Sequence, residues 1–203
     1  SRMGIAAAAA GCAIGTLLIL TRAGNKRPLL AVALVIPILG ILGFWLFGER
    51  LFDRLTTVDG AAESRMSVYA QILELIAMRP LTGFGGGSFE LAFPLVQHAP
   101  VDTFFTWDRG HNTYLTLWSE MGLFAGSIPI LIIAVLGARV AIRFRHSRSN
   151  ANITAQAAAL AAIVVVAIHS LVDFSLEIPA NAVLFLAVLA AGVATLARPG
   201  PRT

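Results

Sequence analysis

Residues 109 to 115 read RGHNTYL and bring together side chains suited to proton transfer and anion binding, just before a long apolar run. Histidine titrates near neutral pH and can accept a proton from a hydroxyl group. Arginine carries a permanent charge on a fork that fits carboxylate or phosphate. Gly110 suits a turn and Asn112 suits a helix N-cap, so the spacing predicts His111 at the start of a helix. Taken alone, a histidine in that position is more often structural than catalytic.

The composition is that of a membrane protein. Hydrophobic residues make up 57% of the chain, charged residues 13%, and the mean hydropathy is +0.79, whereas soluble domains carry about a quarter of charged residues. A membrane-crossing helix needs about 20 apolar residues. We therefore predict an all-α fold, a polytopic transmembrane helical bundle that forms a single domain over residues 1–203. About five spans meet the criterion, at residues 3–20, 29–47, 113–138, 153–172 and 180–196.

The charges indicate how the bundle is oriented. If the first span runs inward, nine basic residues and no acidic ones lie inside, while 15 − 9 = 6 basic and all 11 acidic residues lie outside. This asymmetry follows the positive-inside rule. The basic stretches lack the interleaved aromatic residues of single-strand binders, so we expect no nucleic acid among the partners.

The predicted outer loop, residues 48–112, is too long to be only a connector. Within it, a helical spacing of apolar residues predicts an amphipathic helix on the outer surface that ends before Pro80. The residues of its apolar face are Met66, Tyr69, Leu73, Ile76 and Ala77. The following stretch LTGFGGGSFE matches neither the Rossmann nor the Walker spacing, so we interpret it as a tight return toward the membrane.

Four segments resemble the O-antigen ligase and polymerase superfamily of bacterial inner-membrane glycosyltransferases. They are Ser1-Arg2-Met3-Gly4; Ser64-Arg65 with Tyr69 and then RPLTGFGGGSFE; HNTYLTLWSEMGLFAG from His111; and HSLVDFSLEIPAN from His169. Tyr69 stands where the family more often has tryptophan, and Met3 where glycine is usual. The resemblance also implies that further spans precede residue 1, so that the chain is a C-terminal half.

The resemblance implies transfer of a glycan from a polyprenyl diphosphate carrier to an acceptor sugar hydroxyl in surface polysaccharide assembly, on the periplasmic face of the inner membrane. His111 would be the general base, and Arg65 and Arg2 would bind the diphosphate. The expected partners are the lipid-linked glycan donor, a lipid-linked or core-oligosaccharide acceptor, and membrane lipids. We expect an inverting, metal-independent transfer without a cofactor, in which arginines supply the positive charge.

Four further residues are secondary candidates. Arg109 would assist with the diphosphate or contact a lipid headgroup. Glu120 would orient an acceptor or tie two helices together. His169 and Asp173 are four residues apart and so share a helix face, where a structural pair is more common than a catalytic dyad.

Two other classes of function stay open at this level. A membrane transporter or exporter component also carries ionisable residues, but the four clearest spans have uncharged centres. A membrane serine hydrolase would use Ser88 with His111, but no acidic residue in that loop is placed to orient the histidine. Dependence on arginine separates the glycan transferase from the hydrolase.

Overall fold

A computed structural model describes residues 2–22 and 58–197, and within these ranges the regular secondary structure is helical, as predicted. The predicted span 29–47 lies outside the described residues. Two 3-10 turns, Phe93–Leu95 and Ser175–Glu177, interrupt the connections. The helices are α1 (Arg2–Arg22), α2 (Val58–Met78), α3 (Phe89–Ala92), α4 (Thr113–His146), α5 (Asn150–His169) and α6 (Pro179–Ala194).

Helix α5 lies at the centre of the bundle and packs against α1, α4 and α6. Small residues allow this close approach: a Cβ added at Gly192 of α6 would meet the carbonyl oxygen of Ala155 at 3.3 Å, as is typical of membrane helices. Gly11 of α1 lies against Val165, near the end of α5. Arg22, in contrast, donates to the carbonyl oxygen of Ser147, just before α5 begins. Helix α1 is therefore antiparallel to α5.

This arrangement gives the bundle two ends. The starts of α1, α4 and α6 and the end of α5 lie together at what we call the upper end, and the opposite termini lie at the lower end. Among the described residues, two helices are long and apolar enough to cross a membrane, Thr113–His146 and Asn150–His169, while the apolar stretches Ala7–Arg22 and Pro179–Ala194 are shorter. The number of spans stays a prediction.

Helix α4 is broken near its start. Gly122 has φ 75° and ψ 167°, a conformation open only to glycine, so the predicted span 113–138 is divided into two helical pieces. A turn that follows α2 pairs with the backbone groups that the break leaves open. The bonds run from Leu123 N–H to Pro80 C=O (2.8 Å), from Phe84 N–H to Ser119 C=O (3.0 Å) and from Gly85 N–H to Glu120 C=O (2.7 Å).

Helix α2 ends before Pro80, as predicted. Three residues of the predicted apolar face are exposed, as a face that lies on a membrane would be, so its contact with the outer membrane surface stays a prediction. Met66 and Leu73 are 66% and 54% exposed, and Ala77 is also exposed. Apolar residues occur nearly all round this helix, and the buried stripe contains a glutamine. Gln71 is buried because its side-chain amide donates to the carbonyl oxygen of His98 at 2.7 Å and its oxygen accepts from the N–H of His98.

The buried stripe of α2 belongs to a core at the upper end. This core joins α2, α3, the following loop and the start of α4, with Tyr69, Trp107 and Trp118 packed at its edge. It therefore fixes α2 relative to the residues around His111. Its members are Val68, Ile72, Ile76, Phe89, Phe93, Val101 and Leu115.

Candidate functional site

The start of α4 is held in place by Asn112, which caps the helix as predicted. Its side-chain oxygen accepts hydrogen bonds from the N–H groups of Tyr114 and Leu115, both at 3.1 Å. Its side-chain nitrogen donates to the carbonyl oxygen of Leu171 at 2.9 Å. The cap therefore joins α4 to the turn after α5 and fixes the position of His111, the preceding residue.

The backbone of His111 adopts a left-handed conformation, with φ 50°. Such a conformation costs a non-glycine residue about 1 kcal/mol or more and persists only where the surroundings enforce it. The hydroxyl of Tyr69 donates to the carbonyl oxygen of His111 at 2.7 Å. Gly110 is buried so tightly that an added Cβ would meet Oγ1 of Thr116 at 2.9 Å. The hydrogen bond from Tyr69 and the tight packing around Gly110 therefore hold His111 in this conformation.

The imidazole ring of His111 is half-buried between two aromatic rings. Its centroid lies 6.0 Å from that of Trp107 and 5.1 Å from that of Phe174, in edge-to-face arrangements. Phe105 continues the row by packing edge-to-face on Trp107 at 5.4 Å. Sequence reasoning did not single out Trp107 or Phe174, because an aromatic residue near a membrane gives no specific signal.

The surroundings lower the pKa of His111 below its ordinary value of 6.5. Burial of the imidazole is the largest cause, and the positive charge of Arg65 lowers the pKa further. The negative charges of Asp173 and Asp108 act in the opposite direction and offset part of the effect. The imidazole is therefore mainly neutral at pH 7 and able to accept a proton.

Arg65 lies one turn before Tyr69 on α2 and is partly exposed. Its charge acts on both Tyr69 and His111. Within residues 2–22 and 58–197, its guanidinium takes part in none of the hydrogen bonds or ion pairs. Burial raises the pKa of Tyr69, so its hydroxyl stays protonated and remains a donor.

Arg2 is the first residue of α1. Because α1 is antiparallel to α5, this helix starts at the upper end of the bundle, the end at which α5 finishes and α4 begins. Its backbone is therefore at the same end of the bundle as His111.

Arg109 forms an ion pair with Glu177, an acidic residue that the sequence analysis did not select. Its Nη1 atom lies 3.2 Å from Oε2 of Glu177, and its guanidinium lies 5.0 Å from the centroid of the Phe174 ring. Burial raises the pKa of Glu177, while the hydrogen bond from Arg109 lowers it. The two residues are 68 positions apart, so no local pattern could have paired them.

Glu120 ties α4 to the glycine-rich turn. Its two carboxylate oxygens accept hydrogen bonds from the N–H groups of Gly87 at 2.9 Å and Phe89 at 3.0 Å. A phosphate bound in this turn would need these same N–H groups, which already donate to Glu120. Nearby, the hydroxyl of Ser88 donates to the carbonyl oxygen of Gly85 at 2.6 Å.

His169 and Asp173 form a pair, as expected, but they do not share a helix face as predicted, because α5 ends at His169 and Asp173 lies beyond the following turn. Nε2 of His169 lies 3.2 Å from Oδ2 of Asp173, and both side chains are 16% exposed. Nδ1 of His169 is 2.8 Å from the hydroxyl of Ser175, and the N–H of Phe174 donates to Oδ1 of Asp173 at 2.9 Å. The pair thus shapes the turn that carries Phe174 to the ring of His111.

A comparison with protein families identifies a match. A family model described as O-antigen ligase matches residues 1–130, which is more than half of the chain. No curated protein matches the chain. The matched range contains Arg2, Arg65, Tyr69 and His111, while Phe174 lies beyond it.

Proposed function

Because the chain belongs to the O-antigen ligase family, we propose that it transfers a glycan from a polyprenyl diphosphate carrier to an acceptor sugar hydroxyl on the periplasmic face of the bacterial inner membrane. Family membership implies ligase- or polymerase-type glycan transfer in surface polysaccharide assembly. Support for the finer statement comes from one observation: a histidine with a lowered pKa is held in a strained backbone conformation beside Arg65, which forms no ion pair within the described ranges.

His111 is the general base. Its neutral imidazole accepts the proton of the acceptor hydroxyl as the hydroxyl oxygen attacks the anomeric carbon of the donor glycan. The new glycosidic bond forms while the bond to the diphosphate oxygen breaks. The half-buried position between Trp107 and Phe174 limits the orientations of the ring, which favours a fixed direction of proton transfer.

Arg65 and Arg2 bind the diphosphate. The leaving group gains negative charge as its bond to the sugar breaks, and a guanidinium in place beforehand stabilises that charge. Arg65 is supported by its proximity to His111 and by its lack of an ion-pair partner in the described ranges. Arg2 is supported by the start of α1 at the same end of the bundle. The transfer is inverting and needs neither a metal ion nor a cofactor.

The secondary candidates position the site. The contact of Arg109 with Glu177 and Phe174 braces the turn opposite His111. The pair of His169 and Asp173 braces the same turn from the other side. Glu120 acts further away, because its carboxylate is bound to the turn after α2.

The first experiment replaces His111 with alanine in the full chain and measures glycan transfer from the lipid-linked donor at equal protein abundance in the membrane. We expect transfer to fall by at least about a hundredfold, because a positioned general base contributes roughly 10²–10⁴ in rate, while the donor accumulates. His98→Ala is the matched control, since His98 is exposed and lies elsewhere at the upper end. Normal transfer by His111→Ala would refute the mechanism.

A second experiment compares Arg65→Gln and Arg65→Lys with Arg79→Gln, a change of an exposed arginine just after the end of α2. Loss of a charged hydrogen bond to the diphosphate should weaken transfer by about tenfold or more in Arg65→Gln. Arg65→Lys should retain part of it, and Arg79→Gln should behave as the unmodified chain. A serine hydrolase would show no dependence on Arg65. A transporter would show altered export, and its purified protein would catalyse no transfer that Arg65→Gln could reduce.

A further inference from the structure

The lower end of the bundle, opposite His111, carries two adjoining clefts. The first has a volume of about 480 Å³ and is lined by Arg22, Arg145, His146 and Arg148 beside Ser147 and Asn150. The second, of about 510 Å³, is lined by Arg139, Arg143 and Leu196 beside Ile142 and His146. His146 lines both clefts, so they adjoin at the end of α4. Neither cleft has an acidic residue among the described residues that line it.

One of these basic residues, Arg22, binds backbone groups of the protein itself. Arg22 donates to the carbonyl oxygens of Arg145 at 3.0 Å and Ser147 at 2.6 Å, and so caps the carbonyl end of α4. The side chains of Arg145 and Arg148 are exposed, and in the part of the chain that the structure describes they form no ion pair. Two adjacent guanidinium groups are therefore open to an external anion.

The second cleft adds an apolar surface to this charge. Ile142 is 62% exposed, and Leu196 lies on the same cleft at the end of the chain's last described helix. Towards the upper end, α4 continues the apolar surface with Leu131 and Val135, which are 60% and 57% exposed. Because α4 is long and apolar enough to cross a membrane, this surface suits acyl chains. A free phosphate ion would use the first cleft only.

We propose that the two clefts bind one anionic phospholipid, with its phosphate against Arg145 and Arg148 and its acyl chains along Ile142 and Leu196. Basic clefts between membrane helices bind phospholipid headgroups through this combination of charge and apolar contact. The site lies at the end of the bundle opposite Arg65 and His111, so it is separate from the proposed diphosphate site. It concerns lipid binding and does not depend on the reaction proposed above.

The test measures lipid bound to the purified full chain in a neutral detergent by native mass spectrometry. The probe is dioleoyl phosphatidylglycerol, and dioleoyl phosphatidylcholine is the zwitterionic control with the same acyl chains. We expect selective binding of phosphatidylglycerol and a loss of about tenfold or more in affinity in the double variant Arg145→Gln, Arg148→Gln, because each basic residue near an anionic headgroup contributes severalfold. Arg79→Gln, which removes a charge at the upper end, should bind as the unmodified chain does.

A double variant Arg145→Lys, Arg148→Lys retains the charge and should keep most of the affinity, and it also reports on folding if the glutamine variant is not obtained. Equal occupancy by phosphatidylcholine, or unchanged affinity in the glutamine variant, would overturn the proposal. Competition by inorganic phosphate at the same concentration as the lipid would also overturn it, because the site would then recognise phosphate without the acyl chains.

Discussion

The upper end of the molecule and the contacts among α1, α5 and α6 are held together by different means. At the upper end, polar side chains form hydrogen bonds to particular backbone groups: Tyr69 to one, Asn112 to three and Glu120 to two. Among the three helices, backbones approach at small residues such as Gly11 and Gly192. The first kind of contact fixes individual atoms, whereas the second spreads over a surface. Changes of one atom should therefore alter the site much more than they alter the bundle.

The largest difference in stability is expected between alanine variants of two glycines of α4. Gly122→Ala should lower the free energy of unfolding by about 3 kcal/mol or more, because φ is 75° and an added Cβ would strike the backbone of Leu81. Gly137→Ala should change it by no more than about 1 kcal/mol, because its added Cβ would meet only the end of the Ile163 side chain, at 3.0 Å. Thermal unfolding and membrane abundance check both variants. Equal effects would mean that the break at Gly122 is not fixed by its surroundings.

Two tyrosines refine the comparison, because each donates a hydrogen bond to a backbone carbonyl. Tyr69 donates to His111 at 2.7 Å, and Tyr114 donates to Ala167 of α5 at 3.0 Å. Tyr69→Phe should lower the rate of transfer by roughly fivefold, as expected for a lost hydrogen bond of about 1 kcal/mol. Tyr114→Phe should lower stability by a similar free energy and leave the rate unchanged. If both variants lose transfer equally, the contact with His111 has no special part in positioning it.

The smallest expected effect is a shift in pH dependence. Asp173 raises the pKa of His111, so Asp173→Asn should lower that pKa and move the acidic fall of the transfer rate to lower pH. Asp108→Asn should shift the profile in the same direction but less, because Asp108 is the smaller influence and is 70% exposed. At pH well above 6.5 Asp108→Asn should keep its rate, since His111 is then neutral, whereas Asp173→Asn also loses the pair with His169 that braces the turn. A shift to higher pH in Asp173→Asn would contradict the assignment of His111 as the titrating base.

The parts of the fold that sequence reasoning predicted are those that depend on nearby residues. The helical class follows from composition and the cap follows from Asn112. The end of α2 follows from Pro80. Each of these features is determined within a few residues of the chain, so the pattern contains the necessary information.

The parts that were missed depend on residues far apart in the chain. The break at Gly122 lies in an apolar run without any local signal, because its cause is the pairing with the turn after α2. The face of α2 that packs in the core could not be predicted from the sequence, because Gln71 is polar but hydrogen-bonded to His98 in the fold. The contacts of His111 with Tyr69 and Phe174 likewise join segments that no local periodicity relates.

The pairing at Gly122 also has a consequence for protein engineering. An added Cβ at Gly83 would strike the backbone of Glu120, and one at Gly122 would strike that of Leu81. The backbones of these two segments therefore pack directly against each other. A chimera that takes residues 79–89 from one homologue and residues 113–123 from another would join surfaces shaped for different partners. These two segments must therefore be exchanged together, even though more than twenty residues separate them in the sequence.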